Sequence, residues 1–251
     1  MWFVSSLVIQ EGGALVPFDS ITSYSIHVMR TSILLLILSC VLISCKRREA
    51  LPPQVEAFDV TYAVTFTGKW ASPRFGVPAG VHFTELVGAV HAPDTLLWEA
   101  GAPASRAVQL VAEDGVSTEL LQQVDALLAS GSARQAINRP APPPDGPDSF
   151  QLRLSRKHSA VSVITMLAPT PDWFTGISAF PLYRGHRWVR DTTLFLFAYD
   201  AGTKEGNAFS YDFPPTVPRG TVQQHTVSSA TPLAGGNAVL HPIAELRFQL
   251  Q

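Results

Sequence analysis

Two carboxylates, Asp172 and Asp200, stand 28 positions apart in a stretch whose hydrophobic pattern folds back on itself. Asp172 precedes an apolar segment over about 174–182, Arg184-Gly185-His186 reads as a turn, and a second apolar segment from about Trp188 to Tyr199 ends at Asp200. Up one antiparallel strand and down the next returns the chain to the end it left, so the two side chains are expected to be neighbours. Clustered loop carboxylates suit Ca2+, which takes about 6–8 oxygens from carboxylates, carbonyls and water. Gly202 and Gly206 allow the tight backbone such a loop needs. The same residue types admit a second chemistry, hydrolysis of envelope carbohydrate by Asp172, Glu205 and Asp212. That reaction needs two carboxyls about 5–10 Å apart across an open cleft, whereas a binding site needs only the cluster.

Other reactive residue types are present without the spacing that would make them work together. His82 and His91, nine positions apart, lack the i, i+4 placement of a helical zinc pair, and structural hydrogen bonding is the simpler role for both. Ser105, Ser130 and Ser132 lie outside any Gly-x-Ser-x-Gly elbow, and no glycine-rich loop is built to cradle phosphate. The only cysteines, Cys40 and Cys45, sit near the N-terminus, so the rest of the chain has no thiol for a disulfide, a zinc site or nucleophilic attack. Eighteen Lys and Arg balance 20 Asp and Glu, and charged residues make up only 15% of the 251. Neither a nucleic-acid binder nor an acidic disordered tail has that composition. The expectation is a non-enzymatic protein.

Cys45 carries a different chemistry. The run Ile33 to Ile43 is apolar, is preceded by Arg30 and is followed by Lys46, Arg47 and Arg48. Eleven residues are too few to span a bilayer and suit the apolar region of an export signal. Leu42-Ile43-Ser44-Cys45 resembles the lipobox of bacterial lipoproteins, in which the cysteine is diacylated and becomes the first mature residue. Two or three acyl chains, palmitate among them, would hold the protein at a membrane of the cell envelope, inner or outer. Met29 is the better start of such a signal, which divides the chain into an extension over 1–28, a signal over 29–44, a tether over 45–54 and one domain over 55–251.

The elements that must position the two aspartates read as strands. Val60, Tyr62, Val64 and Phe66 alternate with Thr61, Ala63 and Thr65, and Ala244, Leu246, Phe248 and Leu250 alternate with Glu245, Arg247 and Gln249. Ala160 to Leu167 and Leu194 to Tyr199 are short apolar runs suited to buried strands, which puts Val163 and Phe195 in the core with Val60, Val64, Phe66, Leu246 and Phe248. One helix is expected over Thr118 to Ala129, capped by Ser117, with Leu120, Leu121, Val124, Leu127 and Leu128 on one face. The prolines of 140–147 predict a loop, and Trp70, Trp98, Trp173 and Trp188 are expected to be core residues rather than a sugar-stacking surface. The fold class is all-β, an antiparallel sandwich with one short amphipathic helix.

Five strings in order carry a family resemblance: Phe66-Thr67-Gly68-Lys69-Trp70, His82 to His91, Leu97-Trp98-Glu99-Ala100-Gly101 with Val111 to Gly115, Pro171-Asp172-Trp173-Phe174-Thr175-Gly176, and Asp200-Ala201-Gly202-Thr203. Together they resemble the spondin domain of F-spondin and mindin over about 55–250. The resemblance implies a sandwich similar to C2 domains, a bound Ca2+ in the animal members, and adhesion or recognition of a glycan or protein at cell surfaces and in the extracellular matrix. It also implies a third acidic ligand on the strand before Pro171, at the position of Arg153. Either Asp172 and Asp200 hold Ca2+, with Asp148 as a possible replacement ligand, or Arg153 takes the ion's place as a forked cation between them. Lys204 likewise stands where the family loop usually continues with an acidic residue, and Glu205 follows it.

Overall fold

Tyr62, Val64 and Phe66 are at most 1% exposed while Ala63 and Thr65 between them are half-buried, so the period-two pattern makes β1 (Asp59–Lys69) a one-sided strand. The computed structural model describes residues 58–227, 232–234 and 239–251, all within the unit Val55–Gln251; Cys45 and the segments over 1–28, 29–44 and 45–54 lie outside the described residues. In one sheet β1 is central, hydrogen-bonded on one side to β5 (Asp145–Ser155) and on the other to β13 (Ala244–Leu250), which in turn pairs with β10 (Asp191–Leu196). All these pairings are antiparallel. The other sheet runs in the order β12 (Gln223–Gln224), β11 (Ala198–Asp200), β7 (Trp173–Pro181), β6 (Ala160–Ala168), β3 (Leu86–His91), β4 (Ala133–Arg139), with β2 (His82–Phe83) also on β6. A small hairpin of β8 (Tyr183–Arg184) and β9 (Arg187–Trp188) joins the two sheets.

The architecture is a sandwich of two antiparallel sheets with two short helices. Tyr62, Phe66, Phe83, Leu152, Trp173 and Phe248 fill the space between the sheets. A second core lies outside the larger sheet, where Val87, Ile164 and Phe174 meet Val108, Val111, Leu120 and Val124 of α1 (Arg106–Asp114) and α2 (Thr118–Ala129). Covered on both faces, β6 is buried at all nine positions, which is why its sequence is a continuous apolar run rather than an alternation. Gly88 and Gly176 lie on the strands flanking β6, and a Cβ on either would collide with the carbonyl oxygens of Ser162 and Val163 respectively.

Five expectations are corrected. There are two helices rather than one: Ser105 caps α1 by accepting from Val108 N at 3.2 Å, and Gly115, with φ of 68°, ends it. Ser117 does not cap α2, because its hydroxyl donates to Glu85 instead. The return from the turn is not one strand beside β7: β10 joins the smaller sheet, the chain crosses at Phe197, and only β11 pairs with β7. That crossover leaves Phe195 on the outer face, 59% exposed, while Val64, Phe66, Val163, Leu246 and Phe248 are buried and Val60 is half-buried. Finally, β5 begins inside the proline-rich stretch, with Pro147 paired to Thr67, which an edge strand tolerates because one of its sides needs no donor.

Candidate functional site

β11 lies antiparallel to β7 with Asp200 in register with Trp173, and Ala201 N donates to Asp172 O at 3.2 Å. The structure thus brings Asp172 and Asp200 to one end of the sandwich, although by a crossover between sheets rather than by a simple hairpin. A turn at Thr170, whose hydroxyl accepts from Trp173 N at 3.2 Å, sets Asp172 at the head of β7. Asp172 is fully buried, and its Oδ2 accepts from Thr203 N at 2.7 Å, Thr203 Oγ1 at 3.1 Å and Lys204 N at 3.0 Å. Its Oδ1 is buried and has no hydrogen-bond partner. Asp200 Oδ1 accepts from Gly202 N at 2.6 Å, which turns the chain into the loop over 201–222. Gly202 has φ of 70°, and a Cβ there would lie 2.7 Å from the backbone of Gly220, whose N–H donates to Gly202 O at 2.8 Å.

The electrostatics of this end follow from burial and from like charges placed together. Burial pushes the Asp172 carboxyl above its ordinary value, against the pull of its three donors, and the charge of Glu113 pushes the same way. Asp200 is pushed up to about 6, first by burial and then by the charge of Asp172. Lys204 does not neutralise the pair: its Nζ donates to Tyr211 O at 3.3 Å and stands 3.9 Å from Glu113. A cavity of about 400 Å3 opens beside Asp200, lined also by Glu205, Gln223 and His225. Burial lowers His225 to about 4, its ring centroid lies 4.5 Å from that of Trp173, and its Nε2 has no partner.

Arg153 is not part of this arrangement. The strand directly before Pro171 is β6, whereas Arg153 lies one strand earlier, exposed on β5 of the other sheet and in register with Thr61. The expected pairing of Arg153 with Asp172 and Asp200 is therefore corrected: neither carboxylate forms an ion pair with it, because the strand count places it in the opposite layer. Asp148 is likewise occupied, accepting from Arg139 at 3.0 Å on β5. His91 is buried between Ser162 Oγ at 2.7 Å and Ala92 O at 2.8 Å, and His82 is exposed with Nδ1 2.9 Å from Gly80 O, so the two do not meet. Trp70, Trp98, Trp173 and Trp188 are all at most 6% exposed.

A divalent cation fits the donor chemistry of Asp172 and Asp200. A fully buried, unpartnered carboxylate oxygen next to a second carboxylate is a place where added positive charge satisfies an acceptor and relieves repulsion. No set of three or more His, Cys, Asp or Glu side chains converges as a metal site among the described residues, so carbonyls and water would complete the shell. Sequence reasoning missed Thr203, which holds Asp172, and Glu113, which bears on it from the end of α1. Both stood inside the quoted strings, Thr203 just after Asp200-Ala201-Gly202 and Glu113 just before Asp114-Gly115.

Comparison with known proteins adds the lineage. Human Spondin-2 is 34% identical over 193 residues, covering 72% of this chain and 56% of that protein. Chicken Spondin-1 is 32% identical over 179 residues, covering 66% of this chain and 22% of that protein. The chain thus spans about half the length of the first relative and less than a quarter of the second. The Spondin_N family matches residues 60–234, a span that runs from β1 through both helices and the paired aspartates, and the chain belongs to that family.

Proposed function

We propose that this chain is a spondin-type recognition and adhesion module, tethered to a cell envelope through lipidated Cys45 and bearing a Ca2+ site at Asp172 and Asp200. The observation that carries the calcium reading is the buried, unpartnered Oδ1 of Asp172 beside a second, half-buried carboxylate, that of Asp200. Asp172, locked by Thr203 and Lys204, and Asp200, fixed by Gly202, would hold the ion; its role would be to tie β7 to the loop after β11. Family membership supports the adhesion reading, with a glycan or protein ligand, and the C2-like comparison remains part of this proposal. The lipobox-like Leu42-Ile43-Ser44-Cys45 supports the anchor.

The test is thermal melting of the full chain in chelator and in excess Ca2+. A ligand held only by the folded state adds about 2.7 kcal/mol at a hundredfold excess over Kd. Calcium should raise Tm, and Asp200→Asn should remove most of the rise; an unchanged wild-type curve would end the calcium reading. The hydrolase alternative is left with Asp200 and Glu205, since Asp172 is wholly buried and Asp212 does not line the cavity. Glu205→Gln would abolish cleavage of an envelope polysaccharide under that alternative, and would be silent under ours.

A further inference from the structure

The larger sheet has its outer face covered by α1 and α2, whereas the outer face of the smaller sheet packs against neither helix. On β1 and β5 that face carries Thr61, Thr65, Ser149 and Gln151, short hydroxyl and amide side chains on a flat lattice, with Thr65 and Ser149 hydrogen-bonded at 3.1 Å. Its charges are mostly paired: Lys69 with Glu245, Arg247 with Asp191 at 2.6 Å, and Arg134 with Asp59. Arg153 is the exception among the basic residues of this face; it is exposed and has no carboxylate partner among the described residues. Asp145, also exposed, lies at the far end of β5 beside Lys69, eight residues and about 27 Å along the strand from Arg153.

Arg153 borders a built cleft. Gln135 of β4 reaches the free edge of β5, donating to Gln151 O at 3.3 Å and accepting from Arg153 N at 2.8 Å. This clamp joins the edges of the two sheets and floors a cleft of about 480 Å3 lined by Arg134, Gln135, Gln151 and Arg153. Arg134 gives two N–H groups to Asp59, at 3.0 and 2.9 Å, which leaves others of its guanidinium able to donate. Two guanidiniums therefore flank a cleft in which only one carries a counter-charge.

We propose that this cleft binds an anionic group of an acidic polysaccharide, with Arg153 as the forked donor and Arg134 as the second cation. Guanidinium donors match the planar or tetrahedral oxygens of carboxylate and sulfate. The neighbouring hydroxyls and amides suit sugar hydroxyls, while among the described residues the large apolar side chains exposed here are Phe195 on β10 and Phe58 just before β1, on separate strands and too few for the apolar centre of a protein interface. This inference rests on the reading of the domain as a recognition module, and names its ligand class, but uses no residue of the Asp172 and Asp200 site.

The experiment measures binding of the full chain to dextran sulfate, polygalacturonate, neutral dextran and polyphosphate at low salt. Binding to the sulfated or carboxylated polymer, absent for neutral dextran and weakened by added salt, is expected, and the tighter of the two names the anionic group. Arg153→Gln, at an exposed position, should weaken it about tenfold, and Asp59→Asn, which releases Arg134, should strengthen it. Asp200→Asn should leave it unchanged, so a failed calcium site and a failed polysaccharide site are read separately. Wild-type affinity in Arg153→Gln, or weaker binding in Asp59→Asn, would overturn the cleft; polyphosphate binding as tightly as the polysaccharides would overturn the glycan assignment.

Discussion

At the scale of single residues, the paired aspartates make a signed prediction about pH. Asp200 has a folded value near 6 against an ordinary 3.8, so the fold disfavours its charged form. Its contribution to stability is therefore present below about pH 4 and is lost as pH rises through 6. His225 works in the opposite sense: held neutral, with a folded value of about 4 against 6.5, it costs stability as pH falls from 6.5 towards 4. In chelator, Asp200→Asn keeps an acceptor for Gly202 N and removes the charge, so the variant should melt higher than wild type at pH 7 and lose stability as pH falls below about 6.5. A variant melting below wild type at pH 7 would overturn the stability cost assigned to the charged form of Asp200. Because the ion requires the deprotonated carboxyl, the calcium-induced rise in wild-type Tm should itself shrink as pH drops below about 6.

At the scale of elements, β6 and its two glycine neighbours explain part of the recognised pattern. Gly88 and Gly176 sit where a Cβ would strike the β6 backbone, so each glycine in the strings Val87-Gly88-Ala89 and Phe174-Thr175-Gly176 reports a close approach of strands. Gly176→Ala should destabilise the domain by about 2 kcal/mol or more in a denaturant titration, because the obstacle is backbone and cannot turn aside. Phe66→Ala should cost about 3–5 kcal/mol, while Phe195→Ala should stay within about 0.5 kcal/mol. Equal losses for the two phenylalanines would contradict the crossover at Phe197. That crossover marks the limit of what was legible. Alternation in β1 and β13 and the apolar run of β6 are local signals and were readable; the transfer of β10 to the other sheet is a tertiary choice, invisible to a run in which Leu194, Phe195 and Leu196 look alike. The helix α1 hid for another reason, since its nine residues are not apolar on average and its buried face puts Gln109 among Ala107, Val108, Val111 and Ala112. Asp172 and Asp200 were found because any antiparallel return to β7 brings them together, and Arg153 was misplaced because its sheet depends on counting strands correctly.

At the scale of the whole molecule, the two proposed sites divide the domain's labour. Asp172 and Asp200 lie at the end of the larger sheet, where β7 and β11 meet the loop after Asp200, while Arg153 lies on the smaller sheet at the seam between β4 and β5. A cation at the first would stiffen the loop over 201–222 without touching the second, so calcium and polysaccharide should bind independently. Attachment to a membrane would turn weak binding into avidity, since many anchored copies can engage one polymer and a single cleft with one uncompensated guanidinium need not be tight. The anchor itself is the last prediction. With 33–43 as the apolar region and Cys45 as the acceptor, Cys45→Ala should move the protein from the membrane fraction to the soluble fraction or leave its precursor uncut. Starting translation at Met29 should leave lipidation intact, because the positive Arg30, the apolar run and Leu42-Ile43-Ser44-Cys45 are all retained. Intact-mass analysis should then find an acylated chain beginning at Cys45. An unmodified cysteine within an uncut chain would remove the anchor, and with it the avidity, while leaving the calcium and polysaccharide measurements to stand on their own residues.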